Sequence, residues 1–277
     1  MLVICILFLL NIMKFNNEKN ILELLNIAID SGTEILKIYD NEIVVNSKED
    51  KSPITQADIN SNNLIVNRLQ KLDPNIPILS EESSVEWENR KHWNQYWLID
   101  PLDGTKEFIN RNGEFTVNIS LIEKHYPIFG IIYSPAKSLL YYAIKNNGSF
   151  KQKTNKNLTT LNNFKKINVS IETKSIIKVI GSRSHSSKEF QIWVDNKFTN
   201  YELISIGSSL KFCILAEGEA DIYPRLGPTS EWDIAAGHII LEEAGGKLKS
   251  IDNKNILYNT KEDILNSHFI AYGNLSI

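Results

Sequence analysis

Two stretches near the start of the chain place apolar residues at the three- and four-residue spacing of an amphipathic helix. The first covers residues 20–40, and its repeating face consists of Leu24, Ile27, Ala28, Ser31, Ile35, Ile38 and Tyr39. The second covers residues 56–72, with Thr55 as the expected N-cap and Asp58 as its capping-box partner. Both stretches predict helices that cover a core with one face.

Two later apolar runs predict short strands that end in acidic residues. Residues 76–80 lead into Glu81-Glu82, and residues 96–99 lead into Asp100. Pro101 follows at once and is expected to break the hydrogen-bond ladder of the second strand, because proline cannot donate a hydrogen bond to a neighbouring strand.

The next part of the chain is rich in β-forming residues separated by short turns. Apolar runs lie at residues 115–122, 127–133 and 139–144, and Asn147-Gly148 is a hairpin signal. An antiparallel sheet explains this pattern most simply.

A polar stretch at residues 151–168 separates this region from one in which strand-like and helix-like segments alternate. The helix-like segments are 187–197, 208–217 and 233–244, the last stopped by Gly245-Gly246. We therefore expect an apolar extension (1–13), an α+β subdomain (14–165) and an α/β subdomain (166–277).

Composition excludes several classes of protein. The 277 residues are 42% hydrophobic and 23% charged, as in ordinary globular proteins. The net charge of -3 provides no overall basic field for binding nucleic acid. Cys5 and Cys213, the two cysteines, form neither a disulfide scaffold nor a zinc motif, so a reducing cytoplasm is expected.

Residues 2–10 form an apolar run about half as long as the roughly 20 residues that a membrane-spanning helix needs. The run lacks the basic flank and the cleavage site of a signal peptide. Met13 begins a more ordinary N-terminal sequence, so residues 1–12 are interpreted as a start-site artefact. A weak peripheral anchor at the inner face of the cell membrane is the alternative.

The densest chemical signal is the turn after the second strand, Asp100-Pro-Leu-Asp-Gly-Thr105. Two aspartates three residues apart can face one point, and carboxylates without His or Cys favour Mg²⁺ over zinc. The alternative is an Asx-turn with a solvated Asp103. Glu81-Glu82 and Asp233 favour the metal site, although an aspartate at a helix start is usually a cap.

Glu81-Glu82, the turn at 100–105 and Trp232–Gly237 together resemble the signature motifs of the lithium-sensitive, magnesium-dependent phosphatases, which include inositol monophosphatase and fructose bisphosphatase. Longer strings resemble the bacterial CysQ-type 3'(2'),5'-bisphosphate nucleotidases: SPITQAD (52–58), ILSEES (78–83), YWLIDPLDGTKEFINRNGEFTVNISLIE (96–123), SRSH (182–185), GSSLKF (207–212) and YPRLGPTSEWDIAAGH (223–238). The resemblance implies a layered α-β-α-β-α sandwich.

The resemblance also implies ligands for two or three Mg²⁺ ions. Glu81, Asp100 and the carbonyl of Leu102 would bind one ion. Asp100, Asp103 and Asp233 would bind a second. Two such ions can stabilise the attacking and leaving oxygens of a phosphoryl displacement.

Catalytic roles follow from the same resemblance. Thr105 would orient and deprotonate the attacking water, Asp58 would accept the Thr105 hydroxyl, and Glu81 would hold the metal of that water. Taken alone, Asp58 is more simply the second half of a capping box. The backbone N–H groups of Gly104 and Thr105 suit a phosphate.

Substrate contacts are expected from cations and polar groups elsewhere in the chain. The resemblance implies them at Ser182, Arg183, His185, Ser208, Lys211 and Arg225, besides Glu81, Leu102, Asp103, Gly104, Thr105 and Asp233. Arginine can bind phosphate in a bidentate fashion. On sequence alone Lys211 and Arg225 would be surface charges.

The function implied by the resemblance is Mg²⁺-dependent hydrolysis of the 3'-phosphate of adenosine 3',5'-bisphosphate (PAP) to AMP, with 3'-phosphoadenylyl sulfate (PAPS) as a further substrate. The alternatives are an inositol monophosphatase or sugar bisphosphatase, and more remotely a non-catalytic partner of the transcription apparatus. Inhibition by Li⁺ is expected, and the chain is expected to be a monomer or a homodimer.

Overall fold

The computed structural model describes residues 17–41, 43–47, 53–172, 175–183 and 188–275. Helices in these ranges are α1 (Glu18–Tyr39), α2 (Gln56–Leu72), α3 (Trp87–Arg90), α4 (Thr105–Ile109), α5 (Lys188–Lys197), α6 (Leu210–Ala216) and α7 (Glu231–Glu243). Strands are β1 (Val45–Ser47), β2 (Pro53–Thr55), β3 (Ile78–Ser80), β4 (Gln95–Asp103), β5 (Thr116–Glu123), β6 (Tyr126–Ser134), β7 (Leu139–Ile144), β8 (Gly148–Lys153), β9 (Lys165–Ile167), β10 (Ile177–Ser182), β11 (Tyr201–Ile206), β12 (Ile222–Arg225), β13 (Lys247–Ser250) and β14 (Phe269–Tyr272).

The larger sheet has seven strands in chain order, from β3 to β9. β3 and β4 are parallel, and every other neighbouring pair is antiparallel. Every residue of β5 is buried, because both faces of the sheet are covered. The antiparallel sheet expected from the sequence is confirmed.

The smaller sheet has the order β11-β10-β12-β14-β13. β10 runs parallel to β11 and to β12, whereas β14 is antiparallel to both of its neighbours. β1 and β2 form a separate antiparallel ribbon. The chain passes from the larger to the smaller sheet between Ile167 and Ile177, near the expected boundary at residue 165. The division into subdomains stays a prediction.

Apolar side chains divide into three clusters that define five layers. The first packs α1 and α2 against one face of the larger sheet and includes Leu24, Leu69 and Trp97. The second fills the space between the two sheets, around α6 and α7. The third packs α5 on the outer face of the smaller sheet. The expected α-β-α-β-α sandwich is confirmed.

A close approach of backbone brings α7 onto the larger sheet. A Cβ atom at Gly130, in β6, would lie 2.5 Å from Cγ2 of Ile239 and 2.8 Å from the carbonyl oxygen of Ala236. Only glycine allows this contact without displacement of the helix. Gly130 therefore fixes how near the helix that carries Asp233 lies to the sheet.

The helices predicted at 20–40 and 56–72 are confirmed as α1 and α2, and the capping box of Thr55 and Asp58 is present. The predicted break of the ladder at Pro101 is confirmed, although β4 itself continues to Asp103. The pairing of β4 with β5 shifts register between Asp100 and Asp103, so the missing proline N–H falls where regular pairing is interrupted.

The apolar run at residues 2–10 lies outside the described residues. Among the helices that the structure describes, none is both long and apolar enough to cross a membrane.

Candidate active site

A cavity of about 350 Å³ brings together most of the predicted site residues. Its lining includes Glu81, Asp100, Leu102, Asp103, Gly104, Thr105, Ser182, Ser208, Lys211, Arg225 and Asp233. These residues come from both sheets and from the starts of α4, α6 and α7. Four carboxylates from three separate parts of the chain therefore line one cavity: Glu81, the pair Asp100 and Asp103, and Asp233.

Asp100 lies in β4 and is 1% exposed. Its Oδ1 accepts a hydrogen bond of 3.1 Å from the backbone N–H of Leu102. Burial raises the pKa of Asp100 well above its ordinary 3.8, and the charges of Glu81, Asp103 and Asp233 raise it further. This mutual effect shows that the four carboxylates are close enough to interact.

Asp233 is both a helix cap and a cavity residue. Its Oδ2 accepts a hydrogen bond of 2.8 Å from the N–H of Ser230, which completes a capping box at the start of α7. Burial, followed by the charge of Asp103, raises the pKa of Asp233 to about 8. The cap predicted from the sequence and the predicted place in the site thus coexist.

The turn at 103–105 requires a glycine. Gly104 has φ of 91°, in the left-handed region, and serves as the N-cap of α4. A Cβ atom there would lie 3.1 Å from the carbonyl oxygen of Glu114. The glycine therefore permits the chain to reverse tightly between Asp103 and Thr105, so that both line the cavity.

The donor set fits a hard divalent cation. Every predicted ligand offers an oxygen atom. Burial and mutual repulsion raise the pKa values of Asp100 and Asp233, and a bound divalent cation would favour their charged forms. Within the described ranges, no three acidic, histidine or cysteine side chains are preassembled around one point. Mg²⁺ accommodates such a set because it keeps several waters, which complete its coordination beside the protein oxygens.

Asp58 and Thr105 form a side-chain pair beside the carboxylates. The Thr105 hydroxyl lies 3.2 Å from Asp58 Oδ1, while Asp58 Oδ2 accepts hydrogen bonds of 2.7 Å from both the N–H and the hydroxyl of Thr55. Burial raises the pKa of Asp58 above its ordinary 3.8, and the hydrogen bonds from Thr55 and Thr105 partly offset this. One oxygen of Asp58 thus serves the cap and the other faces Thr105.

Two cationic side chains line the same cavity. Lys211 is 7% exposed, and its Nζ donates a hydrogen bond of 2.7 Å to the carbonyl of Ser208. Burial lowers the pKa of Lys211 to about 8, although the negative charge of Asp103 opposes this shift. Arg225 donates from Nη2 to the carbonyl of Pro228 at 2.7 Å. The structure therefore does not leave these two residues as ordinary surface charges.

Arg183 does not line the cavity, although the sequence predicts it among the substrate contacts. Its Nε and Nη2 bind the Glu114 carboxylate at 2.7 and 2.9 Å, and Nη2 also donates to the carbonyl of Ser205. The N–H of Gly207 donates to the same carboxylate at 2.8 Å. The predicted contact of His185 lies outside the described residues.

The sequence analysis missed two buried polar residues at the site, Ser209 and Asn118. The Ser209 hydroxyl lies 2.6 Å from Asp103 Oδ2, and the amide nitrogen of Asn118 lies 2.8 Å from that hydroxyl. Both residues occur inside strings that carry the family resemblance, but no local pattern distinguishes them from other core residues.

Comparison with known proteins agrees with this geometry. A profile of the inositol monophosphatase family matches residues 17–275. The chain belongs to the inositol monophosphatase family. Its membership agrees with the five-layered fold and with the carboxylate-lined cavity between the two sheets.

Similar proteins within the family include bacterial nucleotidases. The 3'(2'),5'-bisphosphate nucleotidase CysQ of Salmonella typhimurium is 42% identical over 245 residues, or 88% of this chain and 95% of the relative. That of Buchnera aphidicola is 44% identical over 249 residues, or 88% and 90%. The crystal structure of CysQ from Bacteroides thetaiotaomicron is similar at a TM-score of 0.84 and 37% identity, covering 95% of this chain and 100% of that one.

Proposed function

We propose that the chain is a magnesium-dependent 3'(2'),5'-bisphosphate nucleotidase that removes the 3'-phosphate of adenosine 3',5'-bisphosphate (PAP) and releases AMP. The observation that carries the proposal is the single cavity in which four carboxylates face Lys211 and Arg225. A substrate with two phosphates needs more positive charge than bound metal provides beside these carboxylates. The identity of 42% to a CysQ nucleotidase supports the same activity.

The carboxylates are the proposed metal ligands. Glu81, Asp100 and the carbonyl of Leu102 would hold one Mg²⁺, and Asp100, Asp103 and Asp233 would hold a second, in a site expected to take two or three ions. When bound, the ions supply positive charge to the attacking and leaving oxygens of the phosphoryl group. The chain's own contribution is to bring these oxygen ligands together around one cavity.

Thr105 and Asp58 are the proposed proton carriers. Thr105 lines the cavity, where its hydroxyl can hold a water molecule, and it lies 3.2 Å from Asp58 Oδ1. The proton of the water would pass to the Thr105 oxygen while the hydroxyl proton passes to Asp58 Oδ1. The raised pKa of Asp58 makes its carboxylate a stronger base than an exposed aspartate. Glu81 would hold the metal beside this water.

The second phosphate and the sugar are assigned to the other wall of the cavity. Lys211 and Arg225 provide its positive charge, and Ser182 and Ser208 are further polar groups there. The backbone N–H groups of Gly104 and Thr105 suit the phosphate beside the carboxylates. We extend the substrate class on this basis to 3'-phosphoadenylyl sulfate (PAPS), which carries the same 3'-phosphate. Direct contacts of Arg183 and His185 with substrate stay predictions.

Several properties remain predictions that accompany this proposal. Li⁺ is similar to Mg²⁺ in size but carries half the charge, so millimolar Li⁺ is expected to inhibit the enzyme. A cytoplasmic location, a peripheral membrane contact of residues 1–12, and the choice between monomer and homodimer also stay predictions.

Rates on two substrates test the proposal. Purified protein with Mg²⁺ should release phosphate from adenosine 3',5'-bisphosphate much faster than from inositol 1-phosphate, and chromatography should identify AMP as the product. Equal or faster turnover of inositol 1-phosphate would contradict the nucleotidase assignment while leaving the metal-dependent phosphatase in place.

A further inference from the structure

The hydroxyl of Ser209 lies between two of the proposed metal ligands. Its Oγ is 2.6 Å from Asp103 Oδ2 and 2.7 Å from the backbone carbonyl oxygen of Asp233. Ser209 is 2% exposed and is the N-cap residue of α6. A single buried hydroxyl therefore contacts both the end of β4 and the first turn of α7.

Asn118 holds this hydroxyl from the larger sheet. Its Nδ2 donates to Ser209 Oγ at 2.8 Å and lies 3.4 Å from Asp103 Oδ2. Asn118 is 1% exposed and lies in β5, opposite Asp100 in the register of β4 and β5. The amide nitrogen thus approaches Ser209 and Asp103 from the strand next to the metal ligands.

The single proton of the Ser209 hydroxyl limits the hydrogen bonds that Ser209, Asn118 and Asp103 can form together. A hydroxyl has one proton and can accept through its lone pairs, so Ser209 accepts from Asn118 and donates either to Asp103 or to the Asp233 carbonyl. Both contacts on Asp103 fall on Oδ2. Oδ1 is therefore the oxygen that remains for an ion, and its direction is fixed once Oδ2 is held.

We propose that Ser209 and Asn118 are positioning residues for the second metal ion, which they serve by holding Asp103 Oδ2: Ser209 donates its one proton to this oxygen, and Asn118 donates to Ser209 Oγ. This inference rests on the proposed metal-dependent function. Groups that orient a metal ligand typically change metal affinity or activity by about 10- to 100-fold when they are removed. Neither residue is proposed to contact the ion or the substrate.

A purely structural role for these residues makes a different prediction. If they only satisfied buried polar atoms, their removal would lower stability and leave metal affinity unchanged. Ser120 offers a matched control, because it lies in the same strand as Asn118, is 1% exposed, and donates from Oγ to the carbonyl of Phe129 at 2.9 Å without contacting the site. Ser120→Ala removes a comparable buried hydrogen bond.

Binding of Mn²⁺, followed by electron paramagnetic resonance of the free ion in the absence of substrate, separates the two roles. The wild-type protein and Ser120→Ala should each bind two ions. Ser209→Ala should bind one ion with wild-type affinity and the other about 10- to 100-fold more weakly. Asn118→Ala, which keeps the serine, should weaken the same ion by a smaller factor and serves if Ser209→Ala does not fold.

Three results would overturn the inference, and they differ in whether the proposed metal-dependent function also fails. Wild-type affinity for both ions in a folded Ser209→Ala or Asn118→Ala protein, or an equal weakening of both ions, would eliminate the positioning role alone. A wild-type protein that binds no Mn²⁺ would eliminate the proposed metal-dependent function as well.

Discussion

Burial moves the pKa values of two oppositely charged residues in the cavity toward each other. The pKa of Asp233 is raised to about 8, whereas the pKa of Lys211 is lowered to about 8. Both shifts have the same cause, since a group removed from water loses the solvation of its charged form. Such shifts are common at functional sites, where charged groups are held without full hydration.

Lys211→Met should lower kcat/KM for adenosine 3',5'-bisphosphate about 10- to 100-fold at pH 7, because it removes a charged donor to phosphate. In the free enzyme, Lys211 is a cation below its pKa of about 8 and is neutral above it. The ratio of wild-type to variant kcat/KM should therefore fall as the pH rises through 8. A constant ratio, or an equal loss on a substrate with one phosphate, would contradict the assigned role of Lys211.

The sequence predicts single residues well where the chemistry is local. Asp100, Asp103 and Gly104 are close together in the sequence, at the end of β4, and all three line the cavity. The position of Arg183 could not be predicted in this way, because its partner Glu114 is 69 residues away along the chain. No local pattern reveals that the Arg183 guanidinium binds the Glu114 carboxylate, outside the cavity lining. Ser209 is likewise 91 residues from Asn118.

At the scale of elements, the contact between β6 and α7 determines where Asp233 lies. Gly130→Ala should lower the free energy of unfolding by about 1–3 kcal/mol, because its Cβ would meet the backbone of Ala236. Urea denaturation measures this loss. Gly181→Ala is the control, since its Cβ would come no nearer than 3.4 Å to Phe190, and its midpoint should stay near that of the wild type. Equal midpoints for the two variants would contradict a restrictive contact at Gly130.

Long elements are predictable from the sequence because each carries several turns of periodic signal, as α1 and α2 do. The short helices α3 and α4 and the strands β1, β2, β9 and β13 were not predicted, since each has three to five residues. Tertiary contacts hold such elements: Arg90, at the end of α3, donates to the carbonyl of Val85 and to Asn259, which lies 169 residues away. A contact of that range leaves no local pattern.

At the scale of the whole molecule, the candidate active site lies between the two sheets, and an ion pair links the ends of one strand from each sheet. Glu114 precedes β5 of the larger sheet, whereas Arg183 follows β10 of the smaller sheet. Burial raises the pKa of Glu114, but hydrogen bonds from Arg183 and the N–H of Gly207 outweigh it, so the pKa lies below its ordinary 4.5. The charged form of Glu114 is therefore the form that stabilises the fold.

Glu114→Gln should lower the free energy of unfolding by about 1 kcal/mol near neutral pH, a modest value because Arg183 is partly exposed. A depressed pKa contributes stability above 4.5 and loses it as the pH falls through the lower folded value. The difference between wild type and variant should thus be constant above pH 4.5 and shrink below it. Urea denaturation at a series of pH values measures this, and a difference that grows on acidification would contradict the account.

The proposed binding of metal by the four carboxylates that line the cavity is what makes the protein a phosphatase. Its most direct test is the rate of phosphate release from adenosine 3',5'-bisphosphate by wild type and Asp100→Asn across a Mg²⁺ titration. Asparagine has nearly the same shape as aspartate. Because burial and the neighbouring carboxylates already raise the pKa of Asp100, replacing its carboxylate with a neutral amide should leave the variant folded. The wild-type rate should require Mg²⁺ and disappear with a chelator. The kcat of the variant should fall by more than about a hundredfold, which exceeds the effect of removing a group that only orients a metal ligand. A folded Asp100→Asn protein with the wild-type rate, or a wild-type rate that survives chelation, would contradict the account.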